Sequence, residues 1–360
     1  MSTSLNKDSF FLNLAFQQAE INLGSTSSNP SVGCIIVKNN SVISSGRTSF
    51  NGRPHAEANA LKKKNITGSK IYVTLEPCSH YGKTPPCVKN IISKKLHKVI
   101  FSINDIDVRS KNLAYKEFKK KGIEVKRFTL KKYAEKFYKS YYLQSSKQAP
   151  FIDVKLAISK DYLTINKKKK WITNNRSRTV GNFLRSKYDC IVSTAKTINY
   201  DNSLLNCRIE GIKQKSPAVI ILDRSFKIKK KLKIFSDKSR EVFLFTQTTN
   251  ILKEKYLKKI GVNIIKLKKS NRPKNDVCEF YLFLKQLGFN RILIESGVKY
   301  INNVLRFKLI RNFYLFQSSF NLKNKGKNNT KLSLIKKLKT TIKNKVKINL
   351  NGDSLYRIEL

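Results

Sequence analysis

Short apolar segments of strand length alternate with amphipathic segments along the chain, and this alternation constrains the fold more than any other feature. Strands that alternate with helices indicate a layered α/β architecture. The alternation forms two series, which the polar segment SSKQAP at 145–150 separates. We therefore predict two α/β domains, over residues 1–148 and 149–360, with a linker at 145–150.

The first series contains five candidate strands. They are VGCIIV (32–37), SVISSG (41–46), KIYVTL (70–75), KVIFSI (98–103) and IEVKRF (123–128). Asn39 and Asn40 join the first two strands, and asparagine tolerates the left-handed backbone of a tight hairpin. Helices are predicted from Asp8, as the N-cap, to about Leu23, over 55–64, from about Pro86, over 111–121 and within 129–149.

The second series begins after Pro150 and has the same character. Its candidate strands are FIDVKLAI (151–158), CIVS (190–193), AVIILD (218–223), EVFLFT (241–246) and RILIES (291–296). Helical patterns cover 174–187, 249–260, 276–287 and 297–307. No G-x-G-x-x-G follows a strand, so the usual dinucleotide-binding fingerprint is absent. From its pattern alone, this is an α/β domain whose function the pattern does not identify. Nucleotide binding is one candidate.

The chain carries 74 Lys and Arg against 23 Asp and Glu, which gives a formal net charge of +51. Such a charge can indicate a nucleic-acid partner, because protein cations release counterions from phosphates. However, 59 of the basic residues are lysines and only 15 are arginines. Nucleic-acid grooves draw on the planar fork of arginine. We attribute most of the charge to solvated lysines, and a functional basic surface stays open at this point. The spacing of the candidate metal ligands and the pattern of the second domain, described below, then favour no nucleic-acid partner.

The sequence shows neither the pattern of a secretory signal nor that of a membrane-spanning helix. There is no run of 18 or more apolar residues, and the first twenty residues lack the basic start and apolar middle of a secretory signal. Six cysteines in 360 residues without an export signal do not form a disulfide framework. We expect a cytoplasmic enzyme with no membrane partner. The sequence is compatible with a homo-oligomer and does not decide the oligomeric state.

One group of residues has the chemistry of a metal site. His55 lies in Pro-His-Ala-Glu, and Cys78 and Cys87 begin and end Cys-Ser-His-Tyr-Gly-Lys-Thr-Pro-Pro-Cys. One imidazole and two thiolates would bind Zn²⁺ and leave its fourth tetrahedral position open, as in catalytic zinc sites. Water bound there becomes a nucleophile at neutral pH. Glu57 would carry a proton from that water to a leaving amine, as in the zinc-dependent base deaminases.

Three functions are compatible with this group of residues. The first is an enzyme acting on a small phosphorylated metabolite, and the second is a deaminase of tRNA or another polynucleotide. The third is a metal-stabilised binding protein without catalysis. Eight residues separate Cys78 from Cys87, whereas polynucleotide deaminases close the site with Cys-x-x-Cys. Glu57 beside an open metal position argues against the third function.

The segments GRPHAEANAL (52–61) and YVTLEPCSHYGKTPPC (72–87) resemble the deaminase domain of the bifunctional riboflavin biosynthesis deaminase–reductases. The resemblance implies a cytidine-deaminase-like three-layer α/β/α fold. It also implies hydrolytic deamination of a diaminopyrimidinone that carries a ribosylamino phosphate, with release of ammonia. SSNPSVGCIIV (27–37) is similar to the family's substrate-side strand. The substrate contacts that the resemblance implies are Asn29, His80, Lys83 and Thr84.

One position departs from the family pattern in this domain. The family commonly has a histidine shortly before His-Ala-Glu, and this chain has Thr48 there. We expect the corresponding substrate contact either to be lost or to be supplied by Arg47 or Arg53.

Residues 150–360 resemble the reductase domain of the same family. The similar segments are KLAISKD (155–161), WIT (171–173), NFLRSKYDCIVSTAKTINYDNSLLNCR (182–208) and ILIESG (292–297). The resemblance implies a dihydrofolate-reductase-like α/β fold and NADPH-dependent reduction of the ribose to a ribityl chain. The NADP contacts that it implies are Ala157, Trp171, Thr197 and Asp201. The substrate contacts that it implies are Arg185, Leu205, Arg208 and Glu295. We add Lys155, which points from the first strand of this domain near the same site.

Loop residues of the second domain depart from the family more often than the contact residues do. The family's Ser-Leu-Asp-Gly is Ser-Lys-Asp-Tyr at 159–162, and its Asp-Asp-Pro-x-Leu is Asp-Asn-Ser-Leu-Leu at 201–205. The loop before Trp171 is short and consists of lysine at 167–170. We nevertheless predict an active reductase, because the contact residues persist.

Overall fold

The structure is a computed structural model that describes residues 2–144, 146, 148–267, 273–329 and 345–360. It divides into two compact units, residues 1–146 and 147–360. Residues 145 and 147 of the predicted linker lie outside the described residues. No helix in the described part of the chain is long and apolar enough to cross a membrane.

The first unit is built on a five-stranded sheet. Its strands are β1 (Gly33–Lys38), β2 (Ser41–Arg47), β3 (Lys70–Val73), β4 (Lys98–Phe101) and β5 (Glu124–Arg127). Their order in the sheet is β2-β1-β3-β4-β5, in which β1 is antiparallel to both neighbours and β3, β4 and β5 are parallel. Asn39 and Asn40, with φ of 50° and 60°, turn the chain between β1 and β2. The predicted hairpin is confirmed.

Helices cover both faces of this sheet. They are α1 (Ser2–Ile21), α2 (Ala56–Ala60), α3 (Cys87–Ser93), α4 (Leu113–Lys120), α5 (Lys131–Phe137) and α6 (Lys139–Gln144). Alternate residues of β1 face opposite sides: Ile35 packs with Leu12 of α1, and Ile36 packs with Ala60 of α2. The predicted three-layer α/β/α fold is therefore confirmed.

The prediction that Asp8 caps the first helix is wrong. The helix begins at Ser2, and Asp8 lies inside it, buried. The carboxylate of Asp8 accepts a hydrogen bond from Tyr72 Oη at 2.9 Å and pairs with Lys126 Nζ at 2.5 Å. These partners come from β3 and β5, so tertiary contacts replace the local cap that the sequence suggests.

The second unit has an eight-stranded sheet and a small two-stranded one. The strands of the large sheet are β6 (Phe151–Ile158), β8 (Cys190–Thr194), β9 (Ala218–Leu222), β10 (Val242–Thr246), β11 (Val262–Lys266), β12 (Arg291–Ile294), β13 (Ile310–Gln317) and β15 (Ser354–Glu359). Their order is β11-β10-β9-β8-β12-β6-β13-β15, and every neighbouring pair is parallel except β13 with β15. Strands β7 (Leu163–Asn166) and β14 (Gly326–Asn329) form the small antiparallel sheet.

Helices pack on both faces of the large sheet. They are α7 (Asn175–Arg185), α8 (Ala195–Asp201), α9 (Ile251–Lys259), α10 (Pro273–Gln286) and α11 (Val298–Leu305). One core cluster joins Leu257 of α9 to Leu244 of β10, and another joins Tyr281 of α10 to Ile292 of β12. Since the strands from β11 to β13 are parallel, their carboxyl ends share one edge of the sheet, where doubly wound α/β domains bind ligands.

Candidate active sites

The first site lies where α2 and α3 begin. His55 is the residue before α2, Cys87 is the first residue of α3, and Cys78 lies in the loop after β3. Nδ1 of His55 is 3.6 Å from Sγ of Cys78 and 3.4 Å from Sγ of Cys87, and the three atoms lie within 4.8 Å of one another. Tetrahedral bonds of about 2.3 Å to sulfur and about 2.1 Å to nitrogen separate the two atoms by about 3.6 Å. The three side chains therefore fit a zinc ion.

The two cysteines interact with each other, and their pKa values shift in opposite directions. Cys87 donates its backbone N–H to Sγ of Cys78 at 3.3 Å. Hydrogen bonds from the Cys87 thiol and from His55 lower the pKa of Cys78 to about 4, against the effect of burial. The hydrogen bond with Cys78 and burial raise the pKa of Cys87. A bound dication would compensate both thiolates at once, as expected of metal ligands.

Glu57 lies in the first turn of α2 and its side chain is buried, with 4% of the residue exposed. Burial raises the pKa of Glu57 to about 7, although the charge of His55 opposes this shift. A carboxyl group with a pKa near neutrality can both accept and return a proton. The first turn of α2 thus places a proton carrier beside the three candidate metal ligands.

The loop between Cys78 and Cys87 holds three of the predicted substrate contacts. Nδ1 of His80 is 2.9 Å from Oγ of Ser110. Thr84 accepts a hydrogen bond on Oγ1 from Nη1 of Arg53 at 2.6 Å. Lys83 is exposed. The structure therefore places all three on the loop that joins the two cysteines.

Asn29, the fourth predicted contact, lies in the segment before β1. It packs against Gly52: a Cβ built on that glycine would be 2.4 Å from Nδ2 of Asn29. Gly52 has a φ of 90°, which favours glycine. The segment that carries Asn29 thus contacts the backbone three residues before His55.

The departure at Thr48 has a structural explanation. Thr48 is 1% exposed, and its Oγ1 accepts from the backbone N–H of Val32 at 2.9 Å and donates to the Pro30 carbonyl at 3.1 Å. Thr48 therefore ties the end of β2 to the segment before β1. Of the two arginines considered as replacements, Arg47 donates to Gln18 Oε1 in α1 at 3.1 Å, whereas Arg53 contacts Thr84 in the cysteine loop.

Two residues that sequence reasoning missed support this loop. Glu76 is buried, and its carboxylate accepts backbone hydrogen bonds from Asp105, Asn112 and Ala114 at 3.1, 3.1 and 3.2 Å. These bonds fix the segment 105–114, and this segment places Ser110 within hydrogen-bond distance of His80. The only sequence signal for Glu76 is its position directly before Pro77 and Cys78.

The second site is a cavity of about 1750 Å³ in the second unit. It lies at the carboxyl ends of the parallel strands, and Leu222, Gln247, Leu267 and Glu295 from four strand ends contribute to its wall. All nine residues predicted for the reductase line this cavity. They are Lys155, Ala157, Trp171, Arg185, Thr197, Asp201, Leu205, Arg208 and Glu295.

A buried ion-pair cluster forms one wall of the cavity. Arg185 binds Glu295 through two hydrogen bonds, and Nζ of Lys155 lies 3.5 Å from Oε2 of Glu295. Burial alone would raise the pKa of Glu295, but Arg185 and Lys155 outweigh it and lower the pKa to about 2. Burial and the nearby Arg185 charge lower the pKa of Arg208. The carboxylate of Glu295 therefore stays ionised between two cations.

The predicted cofactor contacts occupy other parts of the wall. Thr197 Oγ1 accepts from the backbone N–H of Gly297 at 3.1 Å, which ties α8 to the start of α11. The Trp171 ring is 47% exposed and has the guanidinium of Arg178 5.0 Å from its centroid. Asp201 ends α8. A flat aromatic face at the cavity edge suits the stacking of a planar ring.

Two family models match the chain. The "cytidine and deoxycytidylate deaminase zinc-binding region" matches residues 5–103, and the "RibD C-terminal domain" matches residues 150–347. Together with the two sites, these matches define the class: an enzyme that joins a zinc-binding deaminase domain to a reductase domain.

Individual relatives agree over most of the chain. Riboflavin biosynthesis proteins RibD of Buchnera aphidicola and Haemophilus influenzae are 31% and 33% identical over 86% and 83% of this chain, and the alignments cover 86% and 79% of those proteins. The chain belongs to the RibD family of riboflavin biosynthesis proteins, which are bifunctional deaminases and reductases. The family predicted from the sequence is confirmed.

Solved structures of the family have the same fold. Acinetobacter baumannii RibD is 26% identical, with a TM-score of 0.80. A diaminohydroxyphosphoribosylaminopyrimidine deaminase/5-amino-6-(5-phosphoribosylamino)uracil reductase of Thermotoga maritima is 25% identical, also with a TM-score of 0.80. Each match covers 99% of both chains. The predicted pair of domain folds is thereby confirmed.

Proposed function

We propose that residues 1–148 deaminate the diaminopyrimidinone ribosylamino phosphate and that residues 149–360 reduce the ribose of the resulting aminouracil with NADPH. The observation that carries the first half is the group His55, Cys78 and Cys87 with the buried Glu57 beside it. The cavity at the strand ends, lined by all nine predicted reductase residues, supports the second half.

In the deaminase, His55, Cys78 and Cys87 would hold Zn²⁺, which when bound supplies a Lewis acid that activates water. Glu57 accepts a proton as the water oxygen attacks the ring carbon that bears the 2-amine. It then returns the proton to the amine nitrogen, and the carbon–nitrogen bond breaks to release ammonia. The pKa of Glu57, about 7 because of burial, suits both transfers at neutral pH.

The remaining deaminase residues bind the substrate in this proposal. Asn29 and His80 are assigned to hydrogen bonds with the pyrimidine or ribose, and Lys83 and Thr84 to the phosphate side. The support is their place around the metal ligands: three lie on the loop from Cys78 to Cys87 and one contacts Gly52. Pro85 and Pro86 in that loop and Pro77 directly before it restrict the backbone, which lowers the entropy cost of ordering the loop.

In the reductase, NADPH when bound supplies a hydride to C1 of the open-chain sugar. A cavity of about 1750 Å³ exceeds what one drug-sized ligand fills, roughly 300–1,000 Å³, and so has room for cofactor and substrate together. Ala157, Trp171, Thr197 and Asp201 are assigned to NADPH. Trp171 offers an aromatic face for a planar ring.

The substrate of the reductase is assigned to the cationic wall. Arg185 and Arg208 favour the phosphate, because guanidinium groups bind phosphate oxygens through paired hydrogen bonds. Leu205 would contact the pyrimidine. Lys155, held by Glu295 at 3.5 Å, is the proposed donor of the proton that must follow the hydride onto the substrate. The hydride and the proton together add two hydrogen atoms to the substrate and leave its charge unchanged.

Both substrates are small phosphorylated pyrimidines, and we place the reactions in the cytoplasm. All six cysteines are free, in agreement with a reducing compartment. Two of them are the proposed zinc ligands, which must be reduced to bind the metal.

The test is incubation of the purified chain with the diaminopyrimidinone ribosylamino phosphate. Ammonia should appear without NADPH, and NADPH should be oxidised only after deamination or when the aminouracil is supplied directly. Absence of ammonia release from the zinc-loaded chain would disprove the deaminase assignment. Absence of NADPH oxidation with the aminouracil would disprove the reductase assignment.

A further inference from the structure

We propose that Arg53 is a specificity-determining residue of the deaminase site: its guanidinium binds the phosphate of the substrate, and the hydroxyl of Thr84 orients it. This inference rests on the deaminase function proposed above and adds one residue to it. Four observations support it, from the position of Arg53, its charge, its surroundings and its free hydrogen-bond donors.

Arg53 connects the two segments that carry the metal ligands. It lies two residues before His55, and its Nη1 donates to Oγ1 of Thr84 at 2.6 Å. Thr84 lies three residues before Cys87. A ligand bound to the guanidinium of Arg53 would therefore contact both segments.

The charge of Arg53 is not neutralised within the described residues. Arg109, by contrast, binds Asp107 through Nε and Nη2 at 2.9 and 2.5 Å. Arg47 donates to the amide oxygen of Gln18. In the described part of the chain, Arg53 forms no ion pair with a carboxylate. Its partner is the neutral hydroxyl of Thr84, so the cation stays available for an anionic ligand.

Arg53 lies beside the loop from Cys78 to Cys87, near His80. A Cβ built on Gly82 would be 3.4 Å from Nη2 of Arg53 and 3.9 Å from Nε2 of His80. The guanidinium and the imidazole therefore lie near the same residue of the loop, a glycine without a side chain. The segment 79–89 carries Lys83 and Lys89 and no acidic residue. An anion would meet a positive field at this position.

The donors of the guanidinium match a phosphate. Arginine has five N–H donors in a planar fork, and Thr84 uses one of them on Nη1. The edge formed by Nε and Nη2 can bind two phosphate oxygens in parallel. Thr48 faces Val32 and Pro30, so it offers no such donor to a ligand.

The test compares two substrates in the full-length chain: the phosphorylated pyrimidine and the same riboside without its phosphate. In Arg53→Ala, the deaminase KM for the phosphorylated substrate should rise about tenfold or more, because a charged hydrogen bond is lost. The value of kcat and the KM for the unphosphorylated riboside should stay within about twofold. Arg53→Lys should recover part of the loss, since it keeps a point charge without the fork.

Two further variants separate binding from loop support. Thr84→Val should raise the KM for the phosphorylated substrate less than Arg53→Ala does, because it removes one neutral hydroxyl and leaves the charge of Arg53 in place. Arg47→Ala is the matched control and should change neither KM. Zinc content, measured in every variant, should stay at one ion per chain.

Equal losses on both substrates, or loss of zinc in Arg53→Ala, would show that Arg53 only supports the loop, and the inference would be wrong. An unchanged KM for the phosphorylated substrate would also disprove it. If the wild-type chain deaminates neither substrate, the proposed function fails together with this inference. If it deaminates both with the same KM, only the phosphate contact fails.

Discussion

Arg185 holds Glu295 with two parallel hydrogen bonds, from Nε to Oε1 at 2.6 Å and from Nη2 to Oε2 at 3.0 Å. Lys155 approaches the same carboxylate at 3.5 Å. One buried anion therefore sits between two cations on the wall of the reductase cavity. Removal of the anion leaves two like charges without compensation, and breaking a buried pair typically costs about 3–5 kcal/mol.

We predict that Glu295→Gln lowers reductase kcat/KM at least tenfold, because Lys155 and Arg185 lose the charge that holds them. The free energy of unfolding of the second unit should fall by about 3 kcal/mol. Ammonia release should be unchanged, since the residues assigned to it lie in the first unit. NADPH oxidation, urea unfolding followed by Trp171 fluorescence, and ammonia release measure the three effects.

The matched control is Glu241→Gln, which removes an exposed carboxylate from the same unit. It should leave NADPH oxidation and stability unchanged. Reductase activity that survives in Glu295→Gln would contradict the role assigned to the cluster.

Glu57→Gln should lower the rate of ammonia release by roughly 100-fold or more, because an amide cannot carry the proton. Zinc binding should persist, since the three ligands His55, Cys78 and Cys87 are intact. NADPH oxidation with the aminouracil should match the wild type. Zinc content is measured together with both activities, and normal deamination by this variant would refute the mechanism.

The sequence predicts most of the second unit because its central strands are continuous apolar runs. Residues of β8, β9 and β10 are mostly buried, and each run stands out from its polar flanks. Strand β13 was not predicted, because Arg311 and Asn312 interrupt its start. Asn312 is buried there and donates to Asp153 Oδ1 at 2.8 Å. That partner is 159 residues away in the chain, so no local pattern could reveal it.

The candidate metal site could be predicted because its residues occupy a compact motif with fixed spacing. The supporting contacts could not be predicted in the same way. Ser110 reaches His80 through a segment that Glu76 holds by three backbone hydrogen bonds. Arg53 reaches Thr84 across 31 residues of sequence. Such pairings depend on how loops meet in space, which periodicity does not encode.

Removal of zinc should separate the two activities. A chelator should stop ammonia release, because His55, Cys78 and Cys87 are the proposed ligands, while NADPH oxidation with the aminouracil continues. Re-addition of Zn²⁺ should restore deamination. Cys87→Ser should bind zinc more weakly than the wild type, whereas Cys207→Ser, in the second unit, is the control that should bind it normally. Loss of both activities on chelation would contradict this assignment.

Asp189 predicts a pH dependence of stability with a defined sign. Burial raises the pKa of Asp189 to about 6, although backbone N–H groups of Arg291 and Asn290 donate to its carboxylate. The unfolded chain has the ordinary value of about 3.8–3.9. Between pH 4 and pH 6 the folded state therefore binds the proton more tightly, and unfolding releases it. Stability should fall as pH rises through this window, by up to about 3 kcal/mol.

In Asp189→Asn this contribution disappears, because the neutral amide keeps an oxygen for both backbone donors and carries no charge to desolvate. The variant should equal or exceed the wild type in stability at pH 7 and show a flatter profile from pH 4 to pH 6. Urea unfolding followed by the fluorescence of Trp171, the one tryptophan of the chain, reports on this unit. Glu210→Gln removes an exposed charge and should leave the wild-type slope unchanged. A slope that persists in Asp189→Asn would assign the proton to another group.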